Sequence, residues 1–191
     1  LLDKIKNITN EDHFMLRRGI FFSHREMNRI IEDHQKGKGF CLYTGRGPSG
    51  HTHIGHLVPW VFAKWLQEKF DVNLYFQLTD DEKFYSKTNL TLEETNKFAY
   101  ENALDFIALG FNPEKTKIII NTRNIQTLYP IAAQVAKKIN FSNTPNELMF
   151  IKFKLACQSH FKQFYMDKIT SHQHIYPGNL EQLQKYSIRQ L

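Results

Sequence analysis

The chemistry in this chain centres on His53 and His56, which flank Gly55 just after the run Gly45-Arg46-Gly47-Pro48-Ser49-Gly50. The apolar segment Phe40 to Tyr43 leads into that run, and a helical pattern leaves it. The run therefore reads as a turn between a strand and a helix. At such a helix start the backbone N–H groups and the positive end of the helix dipole converge, which attracts phosphate. Glycine lets a ligand approach the backbone closely. His53 and His56 can hydrogen-bond phosphoryl oxygens there, and Arg46 adds a planar, permanently charged donor set. The plainer alternative is that both histidines merely start the helix.

Gln77 is the second oddity, a polar residue inside the apolar segment Leu74 to Leu78. A buried amide needs partners. Those partners are either other core groups or, with Tyr43 on the adjacent strand, a polar atom of a mostly apolar ligand. Thr79-Asp80-Asp81-Glu82-Lys83 follows directly and is expected as a charged loop. Its charges are either solvated, or Glu82 pairs with a substrate amine and Lys83 with a phosphate. In open parallel sheets ligands bind beyond the carboxyl ends of the strands. If the two strands are neighbours, residues 44–53 and 79–83 line one cleft.

The positioning elements follow from the pattern. Asn10-Glu11-Asp12 is expected to start a short helix that Arg17-Arg18-Gly19 closes, with Gly19 left-handed. Ser23 and Glu26 form a capping-box pair ahead of a helix through Met27, Ile30 and Ile31 to Gln35, ended by Gly37 and Gly39. The helix from His53 to Phe70 carries Ile54, Leu57, Val58, Val61, Phe62, Trp65 and Leu66 as a broad apolar stripe, with Pro59 in its early turns. Thr91 and Glu94 make a second capping box, for a helix through Phe98, Leu104, Ile107 and Ala108 that Gly110 ends. A third strand, Lys117 to Ile120, a loop from Asn121 to Gln126 and a helix from Pro130 to Ile139 complete the alternation. Strands alternating with helices predict an α/β parallel sheet.

Bulk properties narrow the field less. The 191 residues include 25 Lys and Arg against 19 Asp and Glu, for a net charge of +6. Residues 1–150 hold 19 basic and 17 acidic side chains, so most of the excess lies in the tail, and charge alone does not establish a nucleic-acid partner. Cys41 and Cys157 make neither a disulfide framework nor a zinc spacing, and Cys41 reads as a small core residue. His160, His172 and His174 lack a metal-ligand context, so no metal site is expected. No apolar run has membrane-spanning length and no signal peptide is evident, so a cytoplasmic protein without a membrane partner is expected.

Tyr43-Thr44-Gly45-Arg46-Gly47-Pro48-Ser49, His53-Ile54-Gly55-His56, Gln77-x-Thr79-Asp80-Asp81-Glu82-Lys83 and Leu16-Arg17-Arg18-Gly19-Ile20-Phe21-Phe22-Ser23-His24-Arg25 together resemble the tryptophanyl-tRNA synthetases of archaeal and eukaryotic type. The likeness covers residues 10 to 142. His-Ile-Gly-His is the general signature of class I aminoacyl-tRNA synthetases, and the other motifs narrow it to tryptophan. The resemblance implies a Rossmann-like fold that binds ATP, with Mg²⁺, and tryptophan, makes tryptophanyl-adenylate, and passes the amino acid to tRNA(Trp). It implies that Arg46, Gly47, His53, Gly55 and His56 hold ATP. It implies that Tyr43 and Gln77 meet the indole N–H, that Glu82 lies near the amino group, and that Lys83 lies near the phosphates. His53, His56 and Lys83 are then the catalytic residues, and a homodimer is expected.

After Ser142 the chain leaves the family pattern. Residues 1–39 are expected as a helical lead-in, 40–142 as the first half of the nucleotide-binding fold, and 143–191 as a divergent tail with one helix, Glu147 to Met166. No Lys-Met-Ser-type loop and no second sheet half is recognisable. A shortened protein and a misread junction near residue 143 both account for this, and the second is favoured. The fold is accordingly expected to be incomplete on its C-terminal side, with weak ATP binding and little aminoacylation. Two other functions stay open: a nucleotidylyltransferase that shares the His-x-Gly-His turn, and a non-catalytic fragment that binds ATP or RNA.

Overall fold

The computed structural model describes residues 1–136. Three strands form one parallel sheet in the order β1 (Cys41–Arg46), β2 (Asn73–Leu78), β3 (Thr116–Ile120). Cys41 pairs with Asn73 and Arg46 with Leu78, while Leu78 pairs in turn with Ile120. Two bonds extend the ladder past the strand ends, from Thr79 N–H to Arg46 C=O at 3.1 Å and from Asn121 N–H to Leu78 C=O at 3.1 Å. The carboxyl ends of all three strands therefore finish level, and the segments after them share one edge.

Strand alternation sorts the side chains onto two faces. Leu74, Phe76 and Leu78 meet Trp60 of α4 (Ile54–Phe70) and Ala99, Ala103 and Phe106 of α6 (Leu92–Ala108). The rings of Phe76 and Phe106 stack with centroids 3.8 Å apart. Burying one such side chain contributes about 1.5–3 kcal/mol, so this face holds α4, β2 and α6 together. On the opposite face Tyr43 and Ile119 pack with Leu128 and Ile131 of α7 (Ile125–Ala136). Central β2 is buried from Leu74 to Leu78, whereas edge strand β1 is only half-buried along most of its length. That difference explains why β2 reads as a near-continuous apolar run. Cys41 is half-buried at the start of β1 rather than a closed core residue.

The lead-in folds as α1 (Leu2–Thr9), α2 (Phe14–Arg17) and α3 (Met27–Gln35). Ile5 and Ile31 pack with Trp65, Phe62 and Leu66, so these helices dock on the outer side of α4. Gly19 and Gly37 take φ of 66° and 76° after α2 and α3. Ile20 N–H reaches Met15 C=O and Lys38 N–H reaches Asp33 C=O, which closes both ends as Schellman turns.

Several expected boundaries move. Asn10 ends α1 in a left-handed conformation instead of starting a helix, and α2 begins after His13, whose side chain accepts from Met15 N–H. Ser23 and Glu26 make no capping box, because Glu26 is itself the residue before α3, at φ 60°, and offers no side-chain bond. β1 runs through Thr44, Gly45 and Arg46, since pairing with β2 continues to Leu78. The expected loop from Thr79 to Lys83 is mostly the first turn of a helix, α5 (Asp80–Ser86), and acidic residues suit a helix start. α7 starts at Ile125, with Pro130 inside it. The expected end of α7 at Ile139, the Glu147 to Met166 helix, Cys157, His160, His172 and His174 all lie outside the described residues.

Candidate functional site

The level strand ends gather three segments: the turn after β1, the start of α5 after β2, and Asn121-Thr122 after β3. The turn is pinned from within and from behind. Arg46 donates from Nη1 to Thr52 Oγ1 at 2.7 Å, and from Nη2 to the carbonyls of Gly50 at 3.1 Å and His51 at 2.7 Å. Asn102, fully buried on α6, donates to the same Gly50 carbonyl at 3.0 Å. His51 lies 3.3 Å from the Glu101 carboxylate. Burial lowers the pKa of Arg46, and the charge of Asp105 opposes this. A guanidinium stays protonated regardless. Arg46 thus acts first as the clasp of the turn, a role its sequence position did not announce.

His53 and His56 are both helix-capping groups and outward-facing donors. His53 Nδ1 accepts from Gly55 N–H at 3.2 Å, and His53 N–H is accepted by His56 Nδ1 at 3.2 Å. With both Nδ1 atoms accepting, each neutral ring carries its proton on Nε2. The rings lie 3.7 Å apart, centroid to centroid. Burial, then the charges of Arg46 and His53, hold the His56 pKa below the usual histidine value. A Cβ at Gly55 would press on the His53 ring, so the glycine makes room for the pair.

Gly47 and Lys83 bring the first two segments together. A Cβ at Gly47 would overlap Lys83 Cε, so the lysine stem crosses the turn at a place without a side chain. Lys83 Nζ donates to Glu82 Oε1 at 3.1 Å, and Thr79 Oγ1 donates to Glu82 Oε2 at 2.9 Å. Both side chains remain about one quarter exposed.

Tyr43 and Gln77 share one face and one bond, with Tyr43 Oη donating to Gln77 Oε1. Gln77 Nε2 donates to Asn121 Oδ1 at 2.6 Å, and Asn121 Nδ2 donates to Asp81 Oδ1 at 2.8 Å. Asp81 Oδ1 also accepts from Glu82 N–H at 2.8 Å. Burial raises the pKa of Asp81, the bonds from Asn121 and Glu82 oppose this, and the Asp80 charge reinforces it. Asp80 is not solvated: it is fully buried, accepting from Thr122 N–H at 3.1 Å, Thr122 Oγ1 at 2.5 Å and Asn96 Nδ2 at 3.1 Å. The Asp80-Asp81 pair therefore ties α5 to the end of β3.

Asn121, Asn102 and Thr52 are the contributors that sequence reasoning did not single out. Asn121 had a usable signal, because it follows an apolar strand just as Thr79 follows β2. Among the described residues, no group of three or more His, Cys, Asp and Glu is placed to hold a metal ion.

A parallel sheet with a glycine turn and a His-x-Gly-His helix start defines a class, and the family model for tRNA synthetases class I (W and Y) matches residues 35–178, so the chain belongs to that family. The match continues past residue 142. Within the family the similarity is to tryptophan–tRNA ligases. That of Sulfurisphaera tokodaii is 56% identical over 143 residues, covering 74% of this chain and 38% of that protein. That of Pyrobaculum calidifontis is 55% identical over 138 residues, covering 72% and 37%. The chain thus spans under two fifths of these relatives. Among solved structures, the tryptophanyl-tRNA synthetase from Trypanosoma brucei matches with a TM-score of 0.73 at 38% identity, over 83% of this chain and 50% of that one. A tryptophanyl-tRNA synthetase from Encephalitozoon cuniculi bound to tryptophan matches with a TM-score of 0.70 at 36% identity, over 74% and 42%.

Proposed function

We propose that this chain contributes one wall of the ATP- and tryptophan-binding cleft of a tryptophan–tRNA ligase. In this reading ATP and tryptophan form tryptophanyl-adenylate, and the tryptophanyl group then passes to tRNA(Trp). The observation that carries the reading is the hydrogen-bonded Tyr43–Gln77–Asn121 group, in which a half-buried tyrosine of β1 meets a buried amide near the end of β2 and another just past β3. Tryptophan is large and apolar with a single ring N–H donor, so one well-placed acceptor in an apolar pocket selects it. Glu82 is suited to the substrate ammonium. Gly47, Gly55, Arg46 and the Nε2–H groups of His53 and His56 are suited to the phosphates of ATP.

In adenylation a carboxylate oxygen of the amino acid attacks the α-phosphorus, and pyrophosphate leaves with the electron pair of the broken P–O bond. The protein need supply no nucleophile, only position and compensating charge. His53 and His56 donate hydrogen bonds to phosphoryl oxygens, and Lys83 places a cation beside them. Mg²⁺ would arrive with the phosphates and neutralise part of their charge. No protein ligand is assigned to it. A cytoplasmic location and a homodimer accompany this reading through the family likeness.

Pyrophosphate exchange into ATP tests the proposal. Weak exchange that tryptophan stimulates, and tyrosine or phenylalanine does not, is the expected outcome from a chain that supplies one wall of the cleft. Exchange driven equally by an unrelated carboxylate would favour the nucleotidylyltransferase reading instead.

A further inference from the structure

Amide nitrogen and oxygen differ little in size, so packing alone does not decide which end of Gln77 faces Tyr43. Hydrogen bonding decides it. An ionised carboxylate is acceptor-only, and Asp81 Oδ1 already receives Glu82 N–H at 2.8 Å. Asn121 must therefore turn its Nδ2 to Asp81, at 2.8 Å, and its Oδ1 the other way. That oxygen meets Gln77, which must present Nε2 to it, at 2.6 Å. Gln77 Oε1 is then left toward Tyr43. Gln77 and Asn121 are only 4% and 6% exposed, so water has little room to replace a lost partner.

We propose that Asn121 and Asp81 are positioning residues that set the polarity of the Gln77 side-chain amide, presenting its Oε1 to the indole N–H of tryptophan. The proposal rests on the tryptophan reading above. A carbonyl oxygen has two lone pairs, so Oε1 can accept from Tyr43 and from the indole together. With Gln77 reversed, its oxygen would face the Asn121 oxygen and its N–H₂ would face the indole N–H. Both contacts repel. The relay thus makes the pocket reject ligands without a donor at that point, although neither Asn121 nor Asp81 need touch the ligand.

The test compares dissociation constants for tryptophan and for 3-benzothienylalanine, in which sulfur replaces the ring N–H at nearly unchanged shape. Calorimetry on the 191-residue chain is suitable. The unchanged chain should prefer tryptophan by roughly tenfold, the loss of one hydrogen bond to an oxygen that still accepts from Tyr43. Asn121→Leu should reduce the preference below about threefold, since Gln77 then has no acceptor to orient it. Asn121→Ala replaces it if the leucine variant does not melt cooperatively. The double variant Asp81→Ala/Asn121→Asp moves the carboxylate to position 121, where it accepts from Gln77 Nε2 with no second acceptor opposed to it. It should keep the preference within about threefold of the unchanged chain. A preference that survives Asn121→Leu overturns the relay, as does its loss in the double variant. Failure of the unchanged chain to bind tryptophan, or to distinguish the two ligands, overturns the tryptophan reading and the relay with it.

Discussion

Gly45 at the end of β1 and Gly47 and Gly50 in the turn after it stand in three different surroundings, and single alanine substitutions separate them. A Cβ at Gly45 would overlap the backbone carbonyl of Gln77 on β2, which cannot move without parting the strands. Gly45→Ala should therefore destabilise the fold by about 1–3 kcal/mol, the usual penalty for overpacking, visible as a lower urea midpoint. A Cβ at Gly47 meets only the stem of Lys83, the far part of a flexible side chain. Gly47→Ala should leave the urea midpoint nearly unchanged and weaken ATP binding by displacing Nζ. Nothing lies within 4 Å of a Cβ at Gly50, so alanine there should change neither quantity. Equal destabilisation by all three substitutions would show that the turn is valued only for backbone freedom. At this scale the sequence was partly transparent. Gln77 stood out because an amide in an apolar strand demands an explanation. Asn121 and Asn102 did not, because their partners lie 44 and 52 residues away and meet them only through the strand register and the packing of α6.

At the scale of elements, the start of α4 merges two readings of His53 that seemed to compete. The residue caps the helix through Nδ1 and keeps Nε2–H for a ligand, so cap and phosphate contact use different atoms of one ring. Asparagine is also a favoured N-cap but cannot reach as far as Nε2. His53→Asn should thus preserve stability to within about 0.5 kcal/mol while weakening ATP binding, whereas His53→Ala should lose both, with about 0.5–2 kcal/mol of stability. Urea denaturation and ATP titration of the two variants check this. Equal ATP affinity in the unchanged chain and the asparagine variant would leave His53 a cap alone. Element type was legible wherever a local signal dominated, as with the Thr91–Glu94 box before α6, in which Glu94 Oε2 accepts Thr91 N–H at 2.8 Å. It was misread where the same residue types serve opposite ends. Asn10 is a good N-cap in isolation, yet it closes α1 because Ile5 and its neighbours find an apolar surface on α4. The acidic run after Gln77 reads as a loop in the sequence, since charges usually mean solvent. Asp80 instead finds Thr122 and Asn96, contacts that exist only once β3 and α6 are in place.

The whole molecule couples its lead-in to the site-bearing sheet through α4, and acid should loosen that joint first. His13 caps α2, its Nδ1 accepting from Met15 N–H at 3.3 Å, and its ring lies 4.6 Å from Trp65 and 5.5 Å from Phe62 on α4, centroid to centroid. Burial holds its pKa below the usual histidine value, only partly opposed by the charge of Glu11. His56, at the other end of α4, is depressed in the same direction. When the folded pKa lies below the unfolded one, the unfolded chain binds more protons in the interval between them, so stability rises with pH there. The contribution is complete above the unfolded value of about 6.5 and is lost as pH falls below it. The raised Asp81 acts with the opposite sign, so its protonation on acidification offsets part of the histidine loss. Protonating Nδ1 of His13 would also remove the α2 cap, adding a structural reason for the same trend. Urea denaturation at pH 8, 7, 6 and 5.5 should show constant stability between the first two and a decline thereafter. His13→Asn keeps a capping oxygen and removes the titrating ring, so its decline should be shallower, with the His56 share remaining. An undiminished slope in that variant would place the acid sensitivity outside the lead-in and uncouple it from the α2–α4 contact.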